Sequence, residues 1–180
     1  MKNLELKSML VGAFALLSLS AGGCMMQVEA TVPEVEITQH DLVFEGVPQA
    51  ALIGDVALSK SFSQKHQRLE LPEGLDTEVK ALGVTLTAKG GIENFDFIKA
   101  LRVTMSDDTH APVELIDYAR VDGAPSTNVL TMESKNPVNT LDQWKTDSAT
   151  FTIDIAGSLP PQDWKVDLSV RFAGKITYKY

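Results

Sequence analysis

Residues 106–112, Ser-Asp-Asp-Thr-His-Ala-Pro, hold the densest group of chemistry-capable side chains in the sequence. Asp107, Asp108 and His110 could approach one cation at a loop tip. Their spacing fits neither the H-E-x-x-H zinc helix nor the D-x-[DN]-x-[DN]-G calcium loop. Asp and Thr also close turns through their own side chains, so a solvated turn is the expectation and no metal is assigned. The other histidines, His40 and His66, sit in polar, loop-like contexts. A serine hydrolase of the G-x-S-x-G type is not indicated, because that elbow does not occur. Asp117 and Asp122 flank "YARV", but glycoside hydrolysis needs two carboxylates at a defined separation, which spacing along the chain does not supply. The glycines of "GGIENFD" suit a turn with positive φ better than a phosphate cradle, since no long helix follows. Trp144, in a polar segment, is the candidate for an exposed stacking contact, whereas Trp164 falls on an apolar parity and is expected in the core. No catalytic, cofactor-binding or metal-ligating residue is assigned, and the chain is not expected to be an enzyme.

The elements that must position these residues belong to a chain of 180 residues with a formal net charge of -8. That length holds a short N-terminal segment and one domain able to bury its own core. An acidic surface repels phosphate backbones and anionic lipid headgroups, which argues against nucleic-acid binding and against purely electrostatic membrane docking. Cys24 is the sole cysteine. An internal disulfide and a cysteine-rich zinc site are therefore excluded.

Cys24 follows a short basic region with Lys2 and Lys7, an apolar run over 8–20, and the small residues Ala21, Gly22 and Gly23. This is the three-part layout of a secretory signal peptide, with an apolar run too short to span a bilayer. The stretch Ala21-Gly22-Gly23-Cys24 resembles the lipobox of bacterial lipoproteins. The resemblance covers the first 24 residues. It implies cleavage before Cys24, diacylglycerol on its thiol, and an envelope protein bound to the membrane through fatty acyl chains such as palmitate. Met25 stands where that class carries Asp as an inner-membrane retention signal, which implies outer-membrane delivery. Small residues at 21 and 23 also suit ordinary signal peptidase, which would release a soluble product.

From residue 79 onward the pattern turns to period two. Leu82, Val84, Leu86 and Ala88 share one parity, as do Leu101, Val103 and Met105, and then Ala149, Phe151, Ile153 and Ile155. From Trp164 to Tyr180 the even positions are apolar except for Gly174, the natural place for a bulge or bend. Alternation of this kind marks half-buried strands. Segment 92–98 could be a helical turn or a corner between sheets, and 141–147 a short helix. Pro- and Gly-containing turns separate the segments.

These signals predict an all-β protein: an antiparallel, immunoglobulin-like β-sandwich in the loose two-layer sense, with a small barrel as the alternative. The expected organisation is a signal peptide over 1–23, a lipid-anchored tether over 24–33 and a sandwich domain over 34–180. The expected role is a binding or structural module of the envelope, with an envelope protein or glycan as partner and no cofactor. The rival is a carrier or chaperone for a hydrophobic ligand, which would need an apolar cavity between the sheets. The polar loops 106–112 and 122–128 are the candidate contact surfaces.

Overall fold

The computed structural model describes residues 18–19, 27–48, 54–66, 68–70 and 75–179. Cys24 lies outside them. The described residues form β1 Ser18–Leu19, β2 Gln27–Phe44, β3 Val56–Lys65, β4 Leu75–Gly90, β5 Ile98–Ser106, β6 Val113–Ala119, β7 Val129–Glu133, the short helix α1 Leu141–Trp144, β8 Ser148–Gly157 and β9 Trp164–Lys179. Two antiparallel sheets result, ordered β1-β2-β9-β4-β7 and β3-β8-β5-β6. The fold is an antiparallel β-sandwich. Its likeness to an immunoglobulin domain is one of layers only. The strands pair as nested hairpins, β5 with β6, β4 with β7, β3 with β8 and β2 with β9. Successive nested pairs alternate between the sheets, which is the double Greek key of a jelly roll. Among the described residues no helix is long and apolar enough to cross a membrane.

The core follows the alternation. Trp164, Val166, Leu168, Val170 and Phe172 of β9 face Phe151, Ile153 and Ile155 of β8 and Leu101, Val103 and Met105 of β5, all fully buried. Phe44 stacks on Trp164 with ring centroids 4.3 Å apart. Burial of these side chains stabilises the fold by about 1.5–3 kcal/mol each. The turn after β4 carries Phe95 into the core and crosses from one sheet to the other, so the corner reading of 92–98 is the one observed.

β9 is the uninterrupted template of its sheet, and its neighbours adjust to it. β2 carries one extra residue between Val32 and Val35, and again between Gln39 and Leu42. β4 carries one between Ala81 and Gly83, and another between Ala88 and Gly90. The irregularity expected at Gly174 therefore sits across the ladder, beside Pro33, which has no N–H to give. The bulge in β4 also explains why Ala81 is buried while Leu82, expected inward, is only half-buried.

Residues 27–33, expected within a tether, are instead the first part of β2, paired with β9 from Gln27↔Lys179 onward. Here β2, β9 and β4 outrun the second sheet, whose longest strands have 10 residues. They continue past Gly174 as a three-stranded arm. β1 lies inside the segment expected to be removed and pairs only with Val28 and Glu29.

Candidate functional site

The connections gather at two ends of the sandwich. At the end where β2 finishes and β9 begins, the loops are laced together. Val47 N–H donates to the Pro160 carbonyl at 2.9 Å, and Phe95 N–H to the Thr127 carbonyl at 3.0 Å. Gly46 N–H donates to Asp163 Oδ1 at 2.8 Å, and Gln162 Nε2 to the Gly91 carbonyl at 3.1 Å. Arg120 is the central clasp. Its guanidinium, 14% exposed, donates to Asp96 Oδ1 at 2.7 Å and to the Ala124 and Pro125 carbonyls. Gly91 has φ 77°, and a Cβ there would sit 2.3 Å from the Asp163 carbonyl oxygen. The two-glycine turn therefore has the positive-φ explanation expected of it. Asp122-Gly123 forms the next turn, with φ 77° at Gly123 and a 3.1 Å bond from Ala124 N–H to the Val121 carbonyl.

The opposite end holds the Asp107 loop and α1. The Asp107 side chain is 1% exposed. Its Oδ1 accepts from Thr109 N–H at 2.7 Å, Thr109 Oγ1 at 2.9 Å and His110 N–H at 2.6 Å. Its Oδ2 accepts from His110 Nδ1 at 2.8 Å. Burial pushes this carboxyl's pKa up and is the largest single influence. The bonds from His110 and Thr109 together outweigh it and hold the pKa at about 2. The carboxylate is thus spent on its own turn, an Asx turn with an added imidazole. Asp108 is exposed and makes no third member of a cluster, and no grouping of metal-ligating side chains is found among the described residues. The loop packs on α1, where Gln143 Nε2 donates to the Ala111 carbonyl at 3.3 Å.

The remaining candidates separate. His40 lies on the outer face of β2, 3.1 Å from Asp167 Oδ2, which Lys89 Nζ also approaches to 3.0 Å. Asp167 Oδ1 accepts from Asp41 N–H, fixing the bulge where Asp41 has φ 51°. Burial raises the Asp167 pKa most, yet the Asp41, Lys89 and His40 contacts bring it down to about 2. Asp117 stands across the ladder from Arg102 on the outer face of its sheet, while Asp122 lies in the loop beyond. Trp164 is in the core as expected. Trp144 is half-buried, edge-on to Phe172 at 5.1 Å and 5.0 Å from the His66 ring, with Nε1 donating to Thr140 Oγ1 at 3.2 Å. It wedges α1 against the core, so the exposed stacking role does not fit it.

Two surface concavities stand out. One of about 470 Å³ is lined by Arg68, Leu69, Glu70 and Lys145 beside α1. A smaller one of about 180 Å³ lies on the outer face of the β3-β8-β5-β6 sheet, over Ala57, Ala100 and Ala156. Sequence reasoning missed the signal in this second face. Its rows Ala57–Ala156–Ala100–Ala119 and Ser61–Thr152–Thr104 are visible only once the register is known.

Loops 106–112 and 122–128 lie at opposite ends and cannot form one surface. Loop 122–128 belongs to the laced end, and loop 106–112 to the end from which β2 sets out. No protein-family model matches the sequence, and no curated protein matches it. Among solved structures, the chain is similar to the decameric BFDV capsid protein, with a TM-score of 0.36 and 9% identity, covering 85% of this chain and 99% of that one. It is also similar to a chain of the infectious bursal disease virus Gx strain, with a TM-score of 0.30 and 10% identity, covering 91% of this chain and 42% of that one. Likenesses this distant carry no argument about function.

Proposed function

We propose that this protein is a lipoprotein of the bacterial envelope, anchored through acyl chains on Cys24 and delivered to the outer membrane, whose sandwich is a non-catalytic binding or structural module. One observation supports the reading most. The chain enters β2 at Gln27, at the end opposite the laced loops. An anchor at Cys24 therefore leaves the Arg120-clasped loops facing away from the membrane, where a rigid loop surface can meet an envelope protein or glycan. Tethering raises local concentration there without new contacts. The carrier reading is less well supported. Trp164, Phe44, Phe95, Phe151 and Phe172 fill the space between the sheets that an apolar ligand would need. Fatty-acid metabolic labelling tests the anchor: wild type should take up label and float with membranes, and Cys24→Ser should do neither. Equal labelling of the two, or a wild type recovered entirely in the soluble envelope fraction, removes the lipoprotein reading.

A further inference from the structure

We infer that the three-stranded arm at the start of β2 is a membrane-contact foot, which seats on the lipid headgroup layer and stands the sandwich upright with its laced loops outermost. This rests on the lipoprotein reading and adds a stance to it. The leash is the first reason. Only Met25 and Met26 separate Cys24 from the first paired residue, Gln27. Three residue steps reach at most about 11 Å. An acyl group on Cys24 in the bilayer therefore holds the arm's end at the headgroup level, with no slack for the domain to float free.

The composition of the arm is the second reason. Val28, Tyr178 and Leu75 form its outermost complete row across the three strands, followed by Ala30, Ile176 and Thr77. Tyr178 is 38% exposed. A tyrosine with an apolar ring and a polar tip is suited to the membrane–water boundary. Val138, in the segment that bridges to Lys80 of β4, is exposed at this same end.

Reach is the third. The 18 residues of β2 run from one end to the other. At about 3.3 Å per residue, they lift the laced loops roughly 60 Å from the anchor.

The test uses full-length, lipidated protein reconstituted in vesicles of phosphatidylethanolamine and phosphatidylglycerol that contain spin-labelled lipid. Cys24 is acylated, so a cysteine introduced elsewhere takes an NBD fluorophore alone. NBD on Tyr178→Cys should lose most of its emission to headgroup-level spin labels, and NBD on Asp122→Cys should lose almost none. A flexible Gly/Ser insert of about ten residues between Met26 and Gln27 should keep flotation and relieve much of the quenching at 178. Flotation with no quenching at 178, or equal quenching at 178 and 122, overturns the foot and leaves the lipoprotein reading intact. Failure of wild type to float overturns both.

Discussion

The two ends of this sandwich are closed by different means. At the laced end, side chains of one loop bind another loop: Arg120 to the Asp96 carboxylate, Asp163 to the Gly46 N–H, Gln162 to the Gly91 carbonyl. These contacts join residues far apart in sequence, so the end is rigid only when the whole sandwich is assembled. At the arm end, Asp107 closes its own turn within three residues, and α1 is wedged by Trp144. The Asp107 turn is thus a local closure, while α1 beside it is tied to distant segments: Thr140 N–H donates to the Val79 carbonyl at 2.6 Å, Leu69 N–H to the Trp144 carbonyl at 2.8 Å and Gln143 Nε2 to the Ala111 carbonyl at 3.3 Å. A surface made of interlocked long-range loops suits recognition, because its shape is held by the fold.

The contrast can be broken in graded steps. Val170→Asp, between the ends and fully buried, places an unpaired charge in the core and should destabilise both ends together by about 4 kcal/mol or more. Arg171→Asp, next to it on the outer face, loses its pairings with Glu133 and Glu34 and should cost about 1 kcal/mol. Chemical denaturation checks both, and equal costs would mean that the alternation has been misassigned.

Arg120→Ala should come next, at about 2–3 kcal/mol, since it removes a nearly buried charge-assisted clasp. Hydrogen exchange should rise in 91–97 and 120–128 and stay unchanged in 107–111. Asp107→Ala should give the reverse pattern at about 1–2 kcal/mol. Faster exchange at both ends in either variant would contradict the separation.

Acid titration gives the smallest effect. Asp107 is held at about 2 against an ordinary 3.8. A depressed carboxyl stabilises the folded state fully above its unfolded pKa and loses that contribution as pH falls through the folded one. Its share should therefore be complete above about pH 4 and drain away toward pH 2. The acid dependence should be shallower in Asp107→Asn. Asp167, held equally low by Asp41, Lys89 and His40, should drain over the same window, so the double variant should be flatter still.

Much of this fold was legible in the sequence where one face is buried and the other is wet. β8 and β9 announce themselves through Phe151, Ile153 and Ile155 and through the even positions from Trp164 to Phe172. β2 did not, because Pro33 and two bulges break its alternation and much of its length is acidic, so the first part of a paired strand resembled a tether. The nested strand order was not legible either, since parity says which face a residue takes but not which strand lies beside it. The Asp107 turn could be anticipated from its Asp and Thr, but the enclosure of the carboxylate could not. That depends on α1, thirty residues on, packing over the loop. The placement of loops 106–112 and 122–128 at opposite ends is likewise a consequence of topology.

The claim that an anchor at Cys24 holds the arm end to the membrane and presents the Arg120-clasped loops outward is tested most directly by distance. Donor fluorophores on Lys135→Cys, in the loop that leaves β7 on the arm side of the sandwich, and on Asp122→Cys, at the laced end, can be compared for energy transfer to acceptors in the headgroup layer of vesicles carrying the lipidated protein. Both positions are exposed and lie outside the strands. Strong transfer from 135 and weak transfer from 122 is the predicted result. Transfer of equal strength from both, or stronger transfer from 122, would contradict it.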